Sequence, residues 1–99
     1  MSVNEAILTN ADPAIREALQ VLLDAGIETF ESCQGGSEHS FHKPTIRFHG
    51  NNMEGFRAYA AASNCGLRVY ALRRVYDIVD GELTGPWWEL VFHQSPVSR

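Results

Sequence analysis

The densest run of reactive side chains in this sequence lies between residues 32 and 42, which read SCQGGSEHSFH. The thiol of Cys33 stands at the end of a predicted strand and is followed by glycine, serine and histidine residues. An imidazole can lower the pKa of a thiol or accept its proton. Cys33 with His39 or His42 as its base is therefore the candidate catalytic set, and it implies nucleophilic chemistry.

The same segment has a second interpretation, as a site for a small anionic ligand. Paired glycines let backbone N–H groups approach an anion, and a nearby Lys43 or Arg47 could hold its carboxylate or phosphate. An aromatic ring at the rim would add apolar contact. The candidate ligand-binding residues are Gly35, Gly36, Ser37, Arg47 and Trp87.

Metal binding is a third interpretation of these residues. Cys33-x5-His39-x2-His42 supplies three potential zinc ligands, and His49, Cys65 or His93 could complete four. Structural zinc sites normally have close Cys-x2-Cys or His-x3-His pairs, which this sequence lacks. We therefore expect no metal and no cofactor, and metal binding stays an alternative.

Two helices are predicted to support this segment. The first covers residues 12–25, with Asp12 as N-cap, Pro13 in the first turn, an apolar stripe at three- and four-residue spacing, and Gly26 as its stop. The second follows the break at residues 50–52, where Asn52 is the predicted N-cap, and ends near Asn64. Its predicted inward residues are Phe56, Ala60 and either Ser63 or Tyr59.

Strands are predicted over residues 27–33, 45–49, 67–79 and 87–93, with a turn at Asp80-Gly81 and a break at Gly85-Pro86. Caps and stop glycines recur at an offset of 40, which favours two αββ units. We expect one α+β domain over residues 1–99, with residues 1–10 and 94–99 frayed. Its four-stranded, mainly antiparallel sheet would carry both helices on one face.

The other face of this sheet is predicted to be apolar in part. It would carry Thr45, Arg47, His49, Trp87, Glu89, Val91 and His93. Such a face suggests a homodimer, a ligand groove, or cover by the long loop that follows Cys33. The homodimer is the expectation that we carry forward.

Composition limits the classes of function. The 99 residues are 44% hydrophobic with a net charge of −4, and they contain two cysteines and no long apolar run. These features predict a globular, cytoplasmic protein with free thiols and no membrane contact. The acidic balance argues against nucleic acid as a partner of the whole surface, but residues 43–74 carry six basic residues and one acidic residue and leave that partner open.

The string GIETFESCQGG at residues 26–36, with HS at 39–40 and PTIRF at 44–48, resembles a set of small proteins from bacteria and their phages. That resemblance covers about the middle third of the chain and implies no activity. Ser32, Cys33 and Gly35 are also similar to the Ser-Cys-Ser-Gly-Arg turn of the tRNA wybutosine-synthesising methyltransferases. Gln34 and Gly36 depart from that pattern, the arginine is missing, and the activity is not carried over.

Three hypotheses on function remain open from the sequence. The first is a small non-catalytic binding or regulatory module, homodimeric, with a ligand site at residues 32–43. The second is a cysteine-dependent enzyme with Cys33 as nucleophile and His39 or His42 as base. The third is a metal-binding protein that uses the same three side chains.

Overall fold

A four-stranded antiparallel sheet with helices on one face forms the protein. The computed structural model describes residues 3–38 and 41–97, and within them it contains three α-helices and four strands. The helices are α1 (Val3–Asn10), α2 (Arg16–Asp24, preceded by a 3-10 turn at Pro13–Ile15) and α3 (Glu54–Asn64). The strands are β1 (Thr29–Cys33), β2 (Thr45–Phe48), β3 (Leu67–Val79) and β4 (Glu82–Val97).

The strand order is β1-β2-β4-β3, and each neighbouring pair is antiparallel. It follows that β2 and β3 run in the same direction with β4 between them, and that α3 connects these two strands across β4. The predicted α+β class is confirmed. The division into two αββ units stays a prediction, because the two hairpins differ greatly in length and share the β2–β4 pairing.

The core lies between the helices and one face of the sheet. The apolar stripe of α2 is buried as its three- and four-residue spacing predicts. Its partners on the sheet come from the two central strands, where alternate residues point to the same face. The largest fully buried apolar side chains are Ile15, Leu19, Leu22, Ile46, Phe48, Leu90 and Phe92.

The inward face of α3 differs from the prediction. Gly55, Ala58 and Ala62 are buried, whereas Phe56, Tyr59, Ala60 and Ser63 are exposed. A Cβ atom on Gly55 would lie 2.5 Å from the indole ring of Trp88. The small residues are therefore the ones that let α3 approach the sheet, whereas Phe56 stays largely exposed with its ring centroid 6.2 Å from that of Trp88.

The helix starts agree with the prediction only in part. Asn52 is not an N-cap, since α3 begins after Met53, whose N–H is bonded to the side-chain oxygen of Asn51 at 3.0 Å. Asp12 is at the predicted N-cap position, before the 3-10 turn that leads into α2, but its side chain makes no capping bond there and accepts the backbone N–H of Gln34.

Regular structure occurs within both segments that were predicted to be frayed, 1–10 and 94–99, of which residues 1–2 and 98–99 lie outside the described residues. Residues Val3–Asn10 form α1, and Arg16 donates hydrogen bonds to the carbonyls of Thr9 and Ala11 at its end. At the other end β4 continues to Val97, which pairs with Leu67. None of the helices in the described ranges is long and apolar enough to cross a membrane.

The predicted break at Gly85-Pro86 is also wrong, because β4 continues through these residues. The register with β3 shifts between Val75 and Asp77, so the strand absorbs an extra residue there as a bulge. Gly85 has a φ of 102°, and a Cβ at this position would lie 2.9 Å from the carbonyl oxygen of Val75. Glycine thus allows the strand to continue where the sequence suggested a turn.

Candidate functional site

A row of alternating charges crosses all four strands on the face opposite the helices. Glu31 lies opposite Arg47, Arg47 opposite Glu89, and Glu89 opposite Arg73. The nitrogen-to-oxygen distances along this charged row are 3.6 Å from Arg47 to Glu31, 3.3 Å from Arg47 to Glu89 and 3.6 Å from Arg73 to Glu89. Each charge therefore has an opposite charge on the neighbouring strand.

Asp77 connects the charged row to Trp87. Its Oδ2 accepts a hydrogen bond from the indole Nε1 of Trp87 at 2.6 Å and lies 3.2 Å from Nη1 of Arg47. The Arg47 side chain is 17% exposed, and its buried Nε has no hydrogen-bond partner. The two terminal nitrogens of this guanidinium are thus committed to three carboxylates.

Three rings lie beside the charged row at the same face. The centroids of Phe30 and His49 are 4.5 Å apart in a stacked arrangement, and Trp87 meets both rings edge-on at 5.4 and 6.0 Å. Because these rings are in contact with one another, they leave no space for a ligand between them. Trp87 is therefore part of a packed cluster, held at its nitrogen by Asp77.

The loop between β1 and β2, described at residues 34–38 and 41–44, covers the other half of this face. Thr45 and Val91 are buried beneath it, and the ring of Phe41 lies over the guanidinium of Arg47 at 5.1 Å. Among the three alternatives for this face, the structure has the loop folded over it.

Internal hydrogen bonds close the loop. The N–H of Gly36 donates to the carbonyl of His42 at 3.0 Å, and the N–H of Gly35 donates to Sγ of Cys33 at 3.5 Å. A Cβ on Gly35 would lie 2.8 Å from backbone atoms of Lys43 and Pro44. The two glycines therefore serve the closure of the loop, and their N–H groups are occupied.

Both ends of the loop are tied to the fold. Asp12 accepts the backbone N–H of Gln34 at 3.2 Å, while the Gln34 side chain accepts the N–H of Ala14 at 3.1 Å. At the far end the carbonyl of Pro44 accepts the N–H of Phe92 at 2.8 Å. These bonds fix the loop to the start of α2 and to β4.

The members of the candidate catalytic set are placed differently from one another. Cys33 is buried under the loop, whereas His42 is exposed, and no hydrogen bond joins them in the described part of the chain. His39 lies outside the described residues. The candidate ligand residue Ser37 is exposed on the loop, away from the buried Gly35.

A pocket of about 310 Å³ opens between the loop and the sheet. It is lined by Phe41, His42, Lys43, Thr45, Tyr70, Arg73, Glu89 and Val91. The Lys43 ammonium lies over the Tyr70 ring at 4.6 Å from its centroid, and His93 meets the same ring edge-on at 5.4 Å. We call this cavity the open-face pocket.

The open-face pocket contains residues that sequence analysis did not select. Tyr70, Arg73 and Glu89 reach it because β3 lies next to β4 in the sheet. Arg47 and Trp87, which were selected, belong instead to the neighbouring network around Asp77. The alternation of side chains placed Glu89 on this face, but only the strand order could bring Arg73 beside it.

A second cavity, of about 430 Å³, lies between α1 and β1. Its lining is mostly apolar and includes Val3, Ile7, Leu19 and Phe30, with no lysine or arginine. It therefore offers no counter-charge to an anion, and none of the predicted site residues lines it.

No group of three or more His, Cys, Asp or Glu side chains within residues 3–38 and 41–97 could hold a metal ion. The fold and the site define an α+β protein with a charged sheet face that is partly covered by a loop. Compared with known proteins, the chain matches no family model, no curated protein and no solved structure.

Proposed function

We propose that this protein is a small non-catalytic binding module that holds a small anionic ligand, a carboxylate or a phosphate, in the open-face pocket. One observation carries the proposal: Lys43 and Arg73 line this pocket, and its single carboxylate, Glu89, is already paired with two arginines. An anion that entered would meet two cations and no free carboxylate among the lining residues.

The local charge contrasts with that of the whole chain. The protein has a net charge of −4, yet the pocket has more positive than negative side chains. The Arg73 side chain is 52% exposed and makes one long contact to Glu89 at 3.6 Å, so its remaining N–H donors face solvent. A guanidinium with free donors forms paired hydrogen bonds to carboxylate or phosphate.

The walls of the pocket limit the size and shape of the ligand. Its volume of about 310 Å³ is at the lower end of the roughly 300–1,000 Å³ common for ligand pockets. The rings of Phe41 and Tyr70 supply apolar wall on the loop and on β3. These features favour a small molecule with one anionic group and a flat or apolar body.

The placement of Cys33 and of His42 favours binding over cysteine chemistry. Cys33 is buried with its sulfur bonded to the N–H of Gly35, and His42 is on the exposed side of the loop. A nucleophile needs access to its substrate and a base within hydrogen-bond reach. The described residues supply neither for Cys33.

The proposal is tested by calorimetric and NMR titration of the full chain with inorganic phosphate and with benzoate. We expect binding that shifts the ring signals of Phe41 and Tyr70 and that weakens about tenfold or more in Lys43→Gln and Arg73→Gln, because each variant loses a charge-assisted contact.

The matched control is Arg57→Gln. Arg57 lies on α3, where a hydrogen bond to Glu54 and the charge of that carboxylate raise the pKa of the guanidinium. Arg57→Gln removes one positive charge, as the two test variants do, but on α3 and away from the pocket. Equal loss of affinity in this control, or no ring-signal shift with either anion, would contradict the proposal.

A further inference from the structure

Part of the long β3–β4 hairpin extends beyond the rest of the sheet. The last residue of β2, Phe48, lies opposite Trp88, so residues 76–85 have no supporting strand from β2. We call these residues the hairpin arm. Its large apolar side chains are exposed: Tyr76, Ile78, Val79 and Leu83. Isolated two-stranded ribbons are marginal in water, and exposed apolar clusters commonly mark contact surfaces.

The hairpin arm is held in one conformation. Asp80 and Gly81 have φ angles of 51° and 80°, the left-handed pair that a tight two-residue turn requires. At the base, the Thr84 hydroxyl donates to the carbonyl of Asp77 at 3.0 Å, and Asp77 is held by Trp87. Because the arm is already ordered, a partner that bound it would lose little affinity to ordering.

The outer edge of β3 is open as well. β3 is the last strand in the order β1-β2-β4-β3, so its outward backbone N–H and C=O groups have no neighbouring strand in the described sheet. This edge is basic at its start, with Arg68, and acidic at the turn that ends it, with Asp80. An antiparallel copy of the same edge would place opposite charges together at both ends.

We propose that two copies of this chain associate through the outer edges of β3, antiparallel and related by a two-fold axis near Arg74. A two-fold interface requires a self-complementary surface. Around Arg74 this edge places Leu72 opposite Tyr76 of the other copy. β3 has one extra residue at the bulge, Tyr70, whose side chain lines the open-face pocket. The next pair between the two copies is therefore Val69 opposite Ile78.

In this register the two Arg74 residues lie opposite each other at the axis, but their guanidinium groups are turned aside. The guanidinium of each Arg74 lies over the ring of its own Trp88 at 4.6 Å, and Nη1 donates to the carbonyl of Gly50 at 3.0 Å. Both contacts direct the charge toward the helix-bearing face and away from the strand edge. The apolar residues on either side are thus free to meet.

Light scattering coupled to size exclusion, with the full chain over a range of concentrations, tests this inference. We expect twice the chain mass of 11.0 kDa for the wild type. Ile78→Lys should raise the dimer dissociation constant about tenfold or more, since it places a charge opposite Val69 and near Arg68. Arg68→Glu should also raise the dimer dissociation constant, since the new carboxylate would lie near Asp80 of the other copy.

The matched control is Leu83→Lys, which changes the direct cross-strand neighbour of Ile78. Both side chains are 68% exposed, but Leu83 lies on β4, one strand away from the proposed interface. It should keep the dimer. A monomeric wild type at all concentrations, or equal dissociation by Leu83→Lys and Ile78→Lys, would overturn the inference. Circular dichroism and urea midpoints confirm that each variant is folded.

Discussion

At the scale of single residues, Arg47 has the largest set of charged contacts on the sheet face. It lies between carboxylates on β1, β3 and β4 and beneath the ring of Phe41. A charge removed from water needs partners that replace its hydration, and partners left behind are costly when buried. The stability of this face therefore depends on Arg47 more than on the exposed Arg73.

Replacing Arg47 with methionine should lower the free energy of unfolding by about 2–4 kcal/mol, because Glu89 and Asp77 lose their shared cation. Arg73→Met, which removes a half-exposed charge from the same row, should cost about 0.5 kcal/mol or less. Urea denaturation of both variants measures the difference. An equal loss of unfolding free energy in both variants would contradict the view that burial determines how much each charge contributes to stability.

At the scale of elements, the loop of residues 34–44 is set by backbone geometry. Gly35 has a φ of 85° and no space for a Cβ, because the returning backbone of residues 42–44 fills it. Gly26 also has a positive φ, of 80°, but nothing lies within 4 Å of its Cβ position. Comparing the two glycines thus separates the free-energy cost of a left-handed backbone from the cost of crowding a Cβ against the returning chain.

Gly26→Ala should cost about 1–2 kcal/mol from the left-handed backbone alone. Gly35→Ala should cost about 1–3 kcal/mol more, because the loop must move away from Lys43 and Pro44. Denaturant unfolding gives both values. If Gly35→Ala is no worse than Gly26→Ala, the loop does not close on itself as described.

The elements also show where sequence reasoning succeeded and failed. The span of β3 and the Asp80-Gly81 turn were predicted correctly, because a long run rich in β-forming residues and an Asp-Gly pair are strong local signals. The inward face of α3 was predicted wrongly. The ring of Trp88 leaves no room for a side chain at position 55, and no local sequence pattern reveals that contact. Close approach between distant elements is a tertiary effect.

The candidate site also combines features that local sequence signals reveal with features that depend on the tertiary fold. Density of reactive residues drew attention to the segment around Cys33 and Lys43, but it could not show that the two glycine N–H groups are used within the loop. Arg73 and Tyr70 were missed because they join the pocket only through the strand order. Residue types indicate available chemistry, and the sheet decides which of them meet.

At the scale of the whole molecule, the reactivities of the two thiols measure the free energy needed to open the loop away from the sheet. Cys65 is exposed at the end of α3, and Cys33 is buried between the sheet and the loop. A reagent reaches a buried thiol only through local or global opening. Their reactivities should therefore differ widely in the folded protein.

With Ellman's reagent, Cys65 should react at the rate of a free thiol and Cys33 about 100-fold more slowly, as expected for an opening free energy of about 3 kcal/mol. The Cys65→Ser variant isolates Cys33, and urea should expose it fully. Fast reaction of Cys33 in the folded variant would show an accessible thiol and would favour the nucleophile hypothesis over the binding module.

The position of β4 has a consequence for synthesis. This strand is the last of the four along the chain, yet it lies in the middle of the sheet and pairs with both β2 and β3. During translation the apolar faces of the earlier strands emerge before the strand that joins them, since the chain leaves the ribosome from its N-terminus. In the nascent chain, β2, α3 and β3 therefore leave apolar surface uncovered until β4 is made and completes the sheet.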